Sequence, residues 1–113
     1  MECLFCRIAA GEIPATIVFR DAHVVAFRDI APQAPTHILL IPVRHLASVA
    51  EVTESDGDLL ARLMTAATRL AESDGLADSG YRLVTNTGPD AGQSVAHLHW
   101  HLLGGRPMAW PPG

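Results

Sequence analysis

The chain has 113 residues, 49% of them hydrophobic and 18% charged, and this size and composition predict one globular domain over residues 1–113. Its net charge is −4, and its eight basic residues are all arginines scattered along the sequence, so a nucleic-acid partner is not expected. A chain of this length buries only part of its apolar surface, and we expect a homodimer to complete the core.

The N-terminal sequence helps to predict the cellular compartment of the protein. Its first residues, Met-Glu-Cys-Leu-Phe-Cys-Arg, lack the basic start and long apolar run of a signal peptide. No stretch has the length of a membrane span, so the sequence predicts a cytoplasmic protein with no membrane partner. In a reducing compartment, the spacing of Cys3 and Cys6 indicates metal ligands or a redox pair before a structural disulfide.

The N-terminal part of the chain predicts a short helix and a hairpin. Residues 3–10 form an apolar segment that is stopped by Gly11, as at the end of a short helix. Residues 16–20 and 23–28 are rich in β-branched and aromatic side chains, which indicates two antiparallel strands.

A loop and a buried strand are expected next. Residues 29–35 contain two prolines, which remove backbone donors and forbid a helix. Residues 36–41 are almost all apolar and are followed by Pro42, so we expect a strand in the centre of a sheet.

The second half predicts one long helix and two further strands. Thr53 or Ser55 is expected to cap the helix, in which apolar residues recur at three- and four-residue spacing from 59 to 71. Residues 81–86 and 94–103 are expected to form the fourth and fifth strands. Together these elements predict an α+β domain.

The most informative motif is a row of histidines at alternate positions, His97, His99 and His101. In a strand these side chains would share one face at a spacing of roughly 6.6 Å, with apolar side chains on the other face. Because imidazole titrates near neutrality, such a row suits phosphoryl chemistry. The alternatives are polar residues on a half-buried strand, or a row that binds a metal.

Residues 97–103, His-Leu-His-Trp-His-Leu-Leu, match a His-φ-His-φ-His-φ-φ signature in which φ is hydrophobic. This stretch resembles the histidine triad (HIT) superfamily of nucleotide hydrolases and transferases. Segments 27–37, 86–94 and 104–113 are similar to its histidine triad nucleotide-binding (HINT) branch. The resemblance implies a five-stranded antiparallel sheet with one long helix and a short N-terminal helix, paired into a homodimer. It also implies a purine nucleoside phosphoramidase activity.

Cleavage of a phosphorus–nitrogen bond needs a nucleophile, donors for the phosphoryl oxygens and a proton for the departing amine. His99 is best placed to attack phosphorus, and the resemblance assigns the nucleophile to the same residue. His101 and Ser94 are expected to bind the phosphate or the leaving group. His37 is similar to the fourth histidine of the HINT site, which orients the others, while His97 positions the strand.

The resemblance also implies a nucleotide site. Asp29 matches the family's ribose-binding acid, although an Asp before prolines is also typical of an Asx-turn. The apolar slot for the base would contain Phe5, Ile8, Phe27, Ile30 and Leu39. Asn86, Gly92 and Gln93 match positions that border the phosphate, and Ser94, His99 and His101 complete the expected nucleotide-binding residues.

The two cysteines need two further ligands for tetrahedral zinc, and because no other cysteine exists, histidines must supply them. HIT members that carry the cysteine pair resemble this chain in using the positions of His45 and His97. A structural zinc on Cys3, Cys6, His45 and His97 is therefore expected, and the chemistry requires no cofactor. Two reduced cysteines beside two unrelated histidines are the alternative.

Two other functions stay open. A dinucleoside polyphosphate hydrolase or nucleotidyl transferase of the same superfamily would keep His99 but need room for a second nucleotide. A zinc-stabilised nucleotide-binding adaptor would keep Asp29 and the cysteines and leave His99 idle. The tail from Trp110 is expected to cross towards the active site of a partner subunit, because an apolar residue followed by two prolines has little core of its own to enter.

Overall fold

The computed structural model describes residues 3–113 and contains two helices, five strands and two 3₁₀ turns over that range. The helices and strands, in chain order, are α1 Leu4–Ala9, β1 Ile17–Arg20, β2 Val24–Arg28, β3 Thr36–Pro42, α2 Gly57–Ser73, β4 Tyr81–Val84 and β5 Trp100–Gly104. The 3₁₀ turns are Val49–Glu51 and Glu54–Asp56.

The strands form one antiparallel sheet in the order β1-β2-β3-β5-β4. All seven residues of β3 are buried, as its nearly continuous apolar sequence predicts for the central strand. The predicted α+β fold, with five antiparallel strands, one long helix and a short N-terminal helix, is confirmed.

Side-chain alternation along β2 and β3 divides the interior into two layers. Val24, Ala26, Ile38 and Leu40 face one side of the sheet, where they pack with buried residues of α2 such as Leu63. The other side carries a smaller layer in which Phe5 and Ile8 of α1 contact side chains of the same strands. Its strand members are Val25, Phe27, Leu39 and Ile41. A six-residue helix is therefore stabilised by apolar packing rather than by its length.

Thr53, one of the two expected capping residues, caps a 3₁₀ turn that directly precedes the long helix. The backbone amide of Thr53 donates to the Asp56 carboxylate over 2.9 Å in a capping box that closes the turn Glu54–Asp56. Arg44 donates to the same carboxylate over 2.6 Å, and α2 begins at the next residue, Gly57. Within residues 3–113, no helix has the length and apolar character needed to cross a membrane.

The prediction of one strand over residues 94–103 is wrong in its first half, because β5 begins only at Trp100. His97 and His99 therefore precede the strand, although the rings of His99 and His101 still pack together with their centroids 5.0 Å apart and line the same cavity. The backbone amide of Leu98 instead donates to the Leu46 carbonyl over 2.6 Å, which draws this segment past the end of β3. The fourth strand is also shorter than predicted, since β4 ends at Val84.

Candidate active site

A cavity of about 420 Å³ lies between α1 and the sheet. Its walls are mostly apolar, and its polar side chains include two of the three alternating histidines. Nine of the predicted nucleotide-site residues line it, namely Phe5, Ile8, Phe27, Asp29, Ile30, Leu39, Ser94, His99 and His101. This combination of apolar walls and a few convergent polar groups is typical of a small-molecule site.

Three predicted residues are not among those that line the cavity: Asn86, Gly92 and Gln93. The Gln93 amide is occupied by backbone groups, because its Nε2 donates to the carbonyls of Val95 and of Ala47 in the segment after β3, over 3.0 and 2.7 Å. Its Oε1 accepts from the backbone amide of Gly88 over 3.0 Å. Gln93 therefore organises the loop before the histidines.

Sequence reasoning missed part of the wall. Ile13, Pro14 and Ala15, which follow α1, line the cavity together with Val95. Val95 follows the predicted residue Ser94, whereas no sequence signal marked residues 13–15 as part of the site.

His99 is oriented by the backbone of the neighbouring histidine. Its Nδ1 lies 2.7 Å from the carbonyl oxygen of His97, and because a carbonyl only accepts, Nδ1 carries the proton. The lone pair of the neutral ring is therefore on Nε2, which has no hydrogen-bond partner within residues 3–113. His99 is buried, and the ring of Phe5 packs against it edge to face at 5.1 Å. This arrangement presents a fixed nitrogen nucleophile beside the cavity.

A chain of hydrogen bonds fixes the protons of the other two histidines at the site. The backbone amide of Gln33 donates to His37 Nδ1 over 3.0 Å, so the proton of the neutral His37 ring is on Nε2. That nitrogen donates to His101 Nδ1 over 2.8 Å, which in turn leaves the proton of His101 on its own Nε2. His101 thus offers a donor, whereas His99 offers a lone pair.

Burial and neighbouring histidines keep these rings neutral. Desolvation, with the adjacent His99 and His37, lowers the pKa of His101 to about 4. Desolvation also lowers the pKa of His37, and the Asp29 carboxylate, whose Oδ2 is 3.5 Å from His37 Nε2, partly offsets this. An anion bound beside His101 would raise its pKa and favour proton uptake.

Asp29 fits both interpretations of its sequence position. Its Oδ1 accepts from the backbone amide of Ala31 over 2.8 Å, which is an Asx-turn. Its Oδ2 faces His37, and the residue lines the cavity. One carboxylate therefore holds the loop and also presents charge to the site.

The four predicted metal ligands lie together beside the active-site histidines. Their ligand atoms are all within 4.8 Å of one another. His97 Nδ1 is 3.3 Å from Cys3 Sγ, 3.4 Å from Cys6 Sγ and 3.1 Å from His45 Nδ1. Tetrahedral zinc with Zn–S near 2.3 Å and Zn–N near 2.0 Å requires separations of about 3.3–3.8 Å between ligands. The observed separations are within a few tenths of an ångström of that geometry.

The proton positions agree with metal binding. His97 Nε2 lies 2.9 Å from the Pro42 carbonyl and donates to it, so Nδ1 carries a lone pair that points at two sulfurs and another ring nitrogen. Burial and the neighbouring Cys3 raise the pKa of the Cys6 thiol to about 11. At neutral pH this thiol would therefore ionise only when a cation binds to its sulfur. The donor set and its geometry fit zinc.

A second group, Asp29, His37 and His101, also has ligand-type atoms close together. Here the backbone amide of Gln33 donates to His37 Nδ1, and His37 Nε2 donates its proton to His101. A metal on that nitrogen would have to displace this proton. The group is therefore a hydrogen-bond chain.

An antiparallel sheet that carries a row of histidines beside an apolar cavity is the architecture expected of a histidine-triad protein. The HIT domain model matches residues 10–108, and the chain belongs to this family. It is 50% identical over 107 residues to the purine nucleoside phosphoramidase of Escherichia coli (strain K12), which covers 95% of this chain and 90% of the relative.

Two further comparisons agree. An uncharacterized HIT-like protein of Synechococcus elongatus is 51% identical over 112 residues, which is 99% of this chain and 97% of the relative. The crystal structure of a HIT family hydrolase from Legionella pneumophila superposes with a TM-score of 0.98 at 56% identity, over 99% of this chain and 100% of that one. The fold is therefore shared with solved members of the family over its full described length.

Proposed function

We propose that the protein is a purine nucleoside phosphoramidase of the HINT branch, acting as a single HIT domain over residues 1–113. It hydrolyses the phosphorus–nitrogen bond of adenosine or guanosine 5′-phosphoramidates. The observation that carries this proposal is the pair of opposed proton positions, with a lone pair on His99 Nε2 and a proton on His101 Nε2. The E. coli relative named purine nucleoside phosphoramidase supports the same activity.

The cavity suits a nucleotide. Phe5, Phe27 and Leu39 supply apolar surface for a purine, which stacks without regard to its substituents. Asp29 accepts hydrogen bonds from the ribose hydroxyls. The phosphate then lies beside His99, His101 and Ser94, where ring and hydroxyl donors meet its oxygens.

The reaction has two displacements. His99 Nε2 attacks phosphorus and forms a new phosphorus–nitrogen bond as the bond to the substrate amine breaks. His101 stays neutral and donates a hydrogen bond from Nε2 to the phosphoryl group, while the departing amine takes a proton from solvent. Water then attacks phosphorus, the bond to His99 breaks, and the proton of the attacking water is released to solvent, so that His99 is restored as the neutral ring.

The leaving group is the least defined part of the substrate. Aminoacyl adenylates, lysyl-AMP adducts and simple adenosine phosphoramidates present a similar phosphorus centre to the nucleophile. Each would place the same nucleotide in the cavity and differ only beyond the scissile bond. The proposal therefore includes all three as substrates.

Cys3, Cys6, His45 and His97 would hold a structural zinc. This metal, when bound, fastens α1 to the segment before β5 and supplies no chemistry to the reaction. The short distances between the four ligand atoms support this role. His97 would be kept neutral as a ligand, while its carbonyl still orients His99.

A cytoplasmic homodimer completes the proposal. The side chain of Trp110 is 82% exposed, although it is apolar and lies near the end of the chain. Arg82 of β4 donates to the Ala109 carbonyl over 3.0 Å and holds the start of the tail. An exposed aromatic residue on an anchored tail suits contact with a partner subunit near its active site.

A trapping experiment tests the activity. The protein is incubated with tryptamine adenosine phosphoramidate, quenched in the steady state and digested for mass spectrometry. We expect adenylate on the peptide that contains His99, and no adduct in His99→Ala. Adenylate on another residue, or rapid turnover with no adduct at any quench time, would contradict the proposed mechanism.

A further inference from the structure

The segment that follows β5 contacts the loop that fixes the proton of His37. This loop, residues 29–35, supplies the Gln33 amide that donates to His37 Nδ1. Arg106, which follows the end of β5 beside the start of β3, contacts the same residue: its Nη2 and Nε lie 2.9 and 3.3 Å from the Gln33 carbonyl oxygen. Both polar backbone groups of Gln33 are therefore engaged, one by a site histidine and one by a distant arginine.

Gly105 makes a second contact with the loop. It has a φ of +92°, and a Cβ at this position would lie 2.8 Å from Cβ of Pro35. A side chain there would push against a rigid proline ring, so only glycine allows this close approach. Gly105 and Arg106 together contact the loop at Gln33 and Pro35.

The guanidinium of Arg106 is itself fixed by a third hydrogen bond. Arg106 Nη1 donates to the carbonyl of Pro107 over 3.0 Å, while its other two nitrogens converge on Gln33. The planar fork of an arginine loses less freedom in such an arrangement than a flexible ammonium would. Arg106 is exposed and does not line the cavity, so it acts on the site only through the loop.

We propose that Gly105 and Arg106 form a clamp on residues 29–35 that fixes the ring protons of His37 and His101. The clamp holds the Gln33 carbonyl, so the Gln33 amide stays directed at His37 Nδ1. His37 keeps its proton on Nε2, and His101 therefore keeps its own on Nε2, where it serves as a donor. Gln33 and Arg106 are positioning residues and do not touch the substrate.

Loss of the clamp would leave the rings in place but release their proton positions. Without the Gln33 donor, His37 Nδ1 takes a proton for part of the time, and its Nε2 then becomes an acceptor. His101 would follow, and a fraction of molecules would present a lone pair where the reaction needs a donor. The consequence for turnover rests on the proposed function, whereas the proton positions themselves do not.

The test measures proton positions directly in the full-length protein as purified. The ¹⁵N shifts of histidine ring nitrogens distinguish protonated from unprotonated nitrogen. Wild type should show the proton on Nε2 in both His37 and His101. Gln33→Pro, which removes the amide hydrogen, should show mixed proton positions in both rings, whereas Gln33→Ala, which keeps it, should match wild type.

Arg106 is tested in the same way. Arg106→Ala should shift part of the His37 and His101 population away from the Nε2 proton, and Arg106→Lys should restore most of it by supplying one donor. Arg69→Ala is the matched control, because it removes the same charge from an exposed position on α2. With a phosphoramidate substrate, kcat should fall roughly threefold to tenfold in Arg106→Ala while AMP affinity stays within about twofold of wild type.

Two results would overturn the clamp. One is unchanged ring protons in Gln33→Pro, and the other is an Arg106→Ala protein that matches Arg69→Ala in its ¹⁵N shifts. If Gln33→Pro does not fold, the Arg106 series decides the question alone. A wild type that fails to hydrolyse phosphoramidates would refute the proposed function, but the ¹⁵N shifts would still decide whether the clamp exists.

Discussion

Two groups of histidines lie side by side in this protein, and they differ in what their nitrogens face. At the cavity, each nitrogen that makes a contact pairs a proton with an acceptor, as in the chain from Gln33 through His37 to His101. In the neighbouring group, the Nδ1 lone pair of His97 points at His45 Nδ1 from 3.1 Å and at Cys3 Sγ, and His45 Nδ1 lies 3.3 Å from Cys6 Sγ. The first pattern suits hydrogen-bond donation to a ligand, whereas the second suits a cation held between the four ligand atoms.

The two groups are joined through the main chain of one residue. The His97 ring belongs to the metal group, but its carbonyl accepts the Nδ1 proton of His99. The short helix α1 also contacts both groups, since Cys6 faces His45 while Phe5 packs against His99. Changes on either side should therefore separate chemistry from stability.

The largest effect is expected from the nucleophile. His99→Ala should lower phosphoramidate hydrolysis by roughly 10⁴-fold or more, because no other nitrogen in the cavity presents a fixed lone pair. AMP affinity should change by less than about tenfold, since the lost group contributes covalent chemistry more than ground-state binding. Steady-state kinetics and calorimetric titration with AMP measure the two quantities.

His99→Asn is the matched variant, because its amide can still donate to the His97 carbonyl. It should be as inactive as His99→Ala and should bind zinc like wild type. Turnover retained in either variant would refute the assignment of His99 as the nucleophile.

The second prediction concerns the metal group. Cys3→Ser should lose the zinc, which is expected at about one ion per subunit in wild type purified without a histidine tag. The melting temperature should fall by about 10 °C, the shift that roughly 2 kcal/mol produces in a domain of this size. Activity should remain measurable, because none of the proton positions at His37 and His101 depends on Cys3.

Chelator provides the control for this variant. Wild type treated with chelator should melt near Cys3→Ser, and chelator should leave Cys3→Ser itself unchanged. A wild type that holds no metal and melts at the same temperature with and without chelator would rule out the zinc site.

The fold and most residues of both histidine groups could be predicted from sequence, but the way in which the histidines divide between the two groups could not. Strict alternation predicted one strand through His97, His99 and His101, but β5 begins at Trp100, and the His97 ring faces the cysteines while His99 and His101 line the cavity. What decides the geometry is the hydrogen bond from the Leu98 amide to the Leu46 carbonyl, a contact between distant segments that no local pattern encodes. The apolar cavity wall was predictable, since β2 and β3 alternate between two layers and α1 covers one of them.

The proton positions of the histidine rings could not be predicted from the sequence either. Nothing in the run of prolines indicates that the Gln33 amide meets His37, because the contact depends on how the loop folds back between β2 and β3. The side chain of Gln93 illustrates the opposite error, since its amide suited a phosphate but instead bonds backbone groups of its own loop and of the segment after β3. Local sequence indicates which groups are present, and the tertiary contacts determine which of them stay available.

A smaller effect is expected at Asp29, which contacts the histidines at the cavity and not the metal group. Asp29→Ala should weaken ribonucleotide binding by roughly tenfold to a hundredfold, the usual cost of losing hydrogen bonds to a charged group. Affinity for 2′,3′-dideoxy analogues should change little, because they lack the hydroxyls that the carboxylate accepts from. Competition titrations with matched ribose and dideoxy nucleotides measure the difference.

Asp29→Asn separates the two uses of this carboxylate. An asparagine Oδ1 can still accept from the Ala31 amide and preserve the turn. It should therefore retain more of the loop's function than Asp29→Ala. Equal losses for ribose and dideoxy ligands in Asp29→Ala would show that the residue serves the loop alone.

The smallest effect is expected from the tail, which lies outside both histidine groups. Deletion of residues 109–113 should alter the ratio of kcat/KM for bulky and small amine leaving groups by a few-fold, because it removes the exposed Trp110 that we propose lies near a partner's site. The proposed dimer should persist in light scattering, and zinc content should not change. Deletion of residues 111–113 is the control, since it keeps both Trp110 and the Ala109 carbonyl that Arg82 holds. An unaltered ratio in the longer deletion would show that the tail has no part in selectivity.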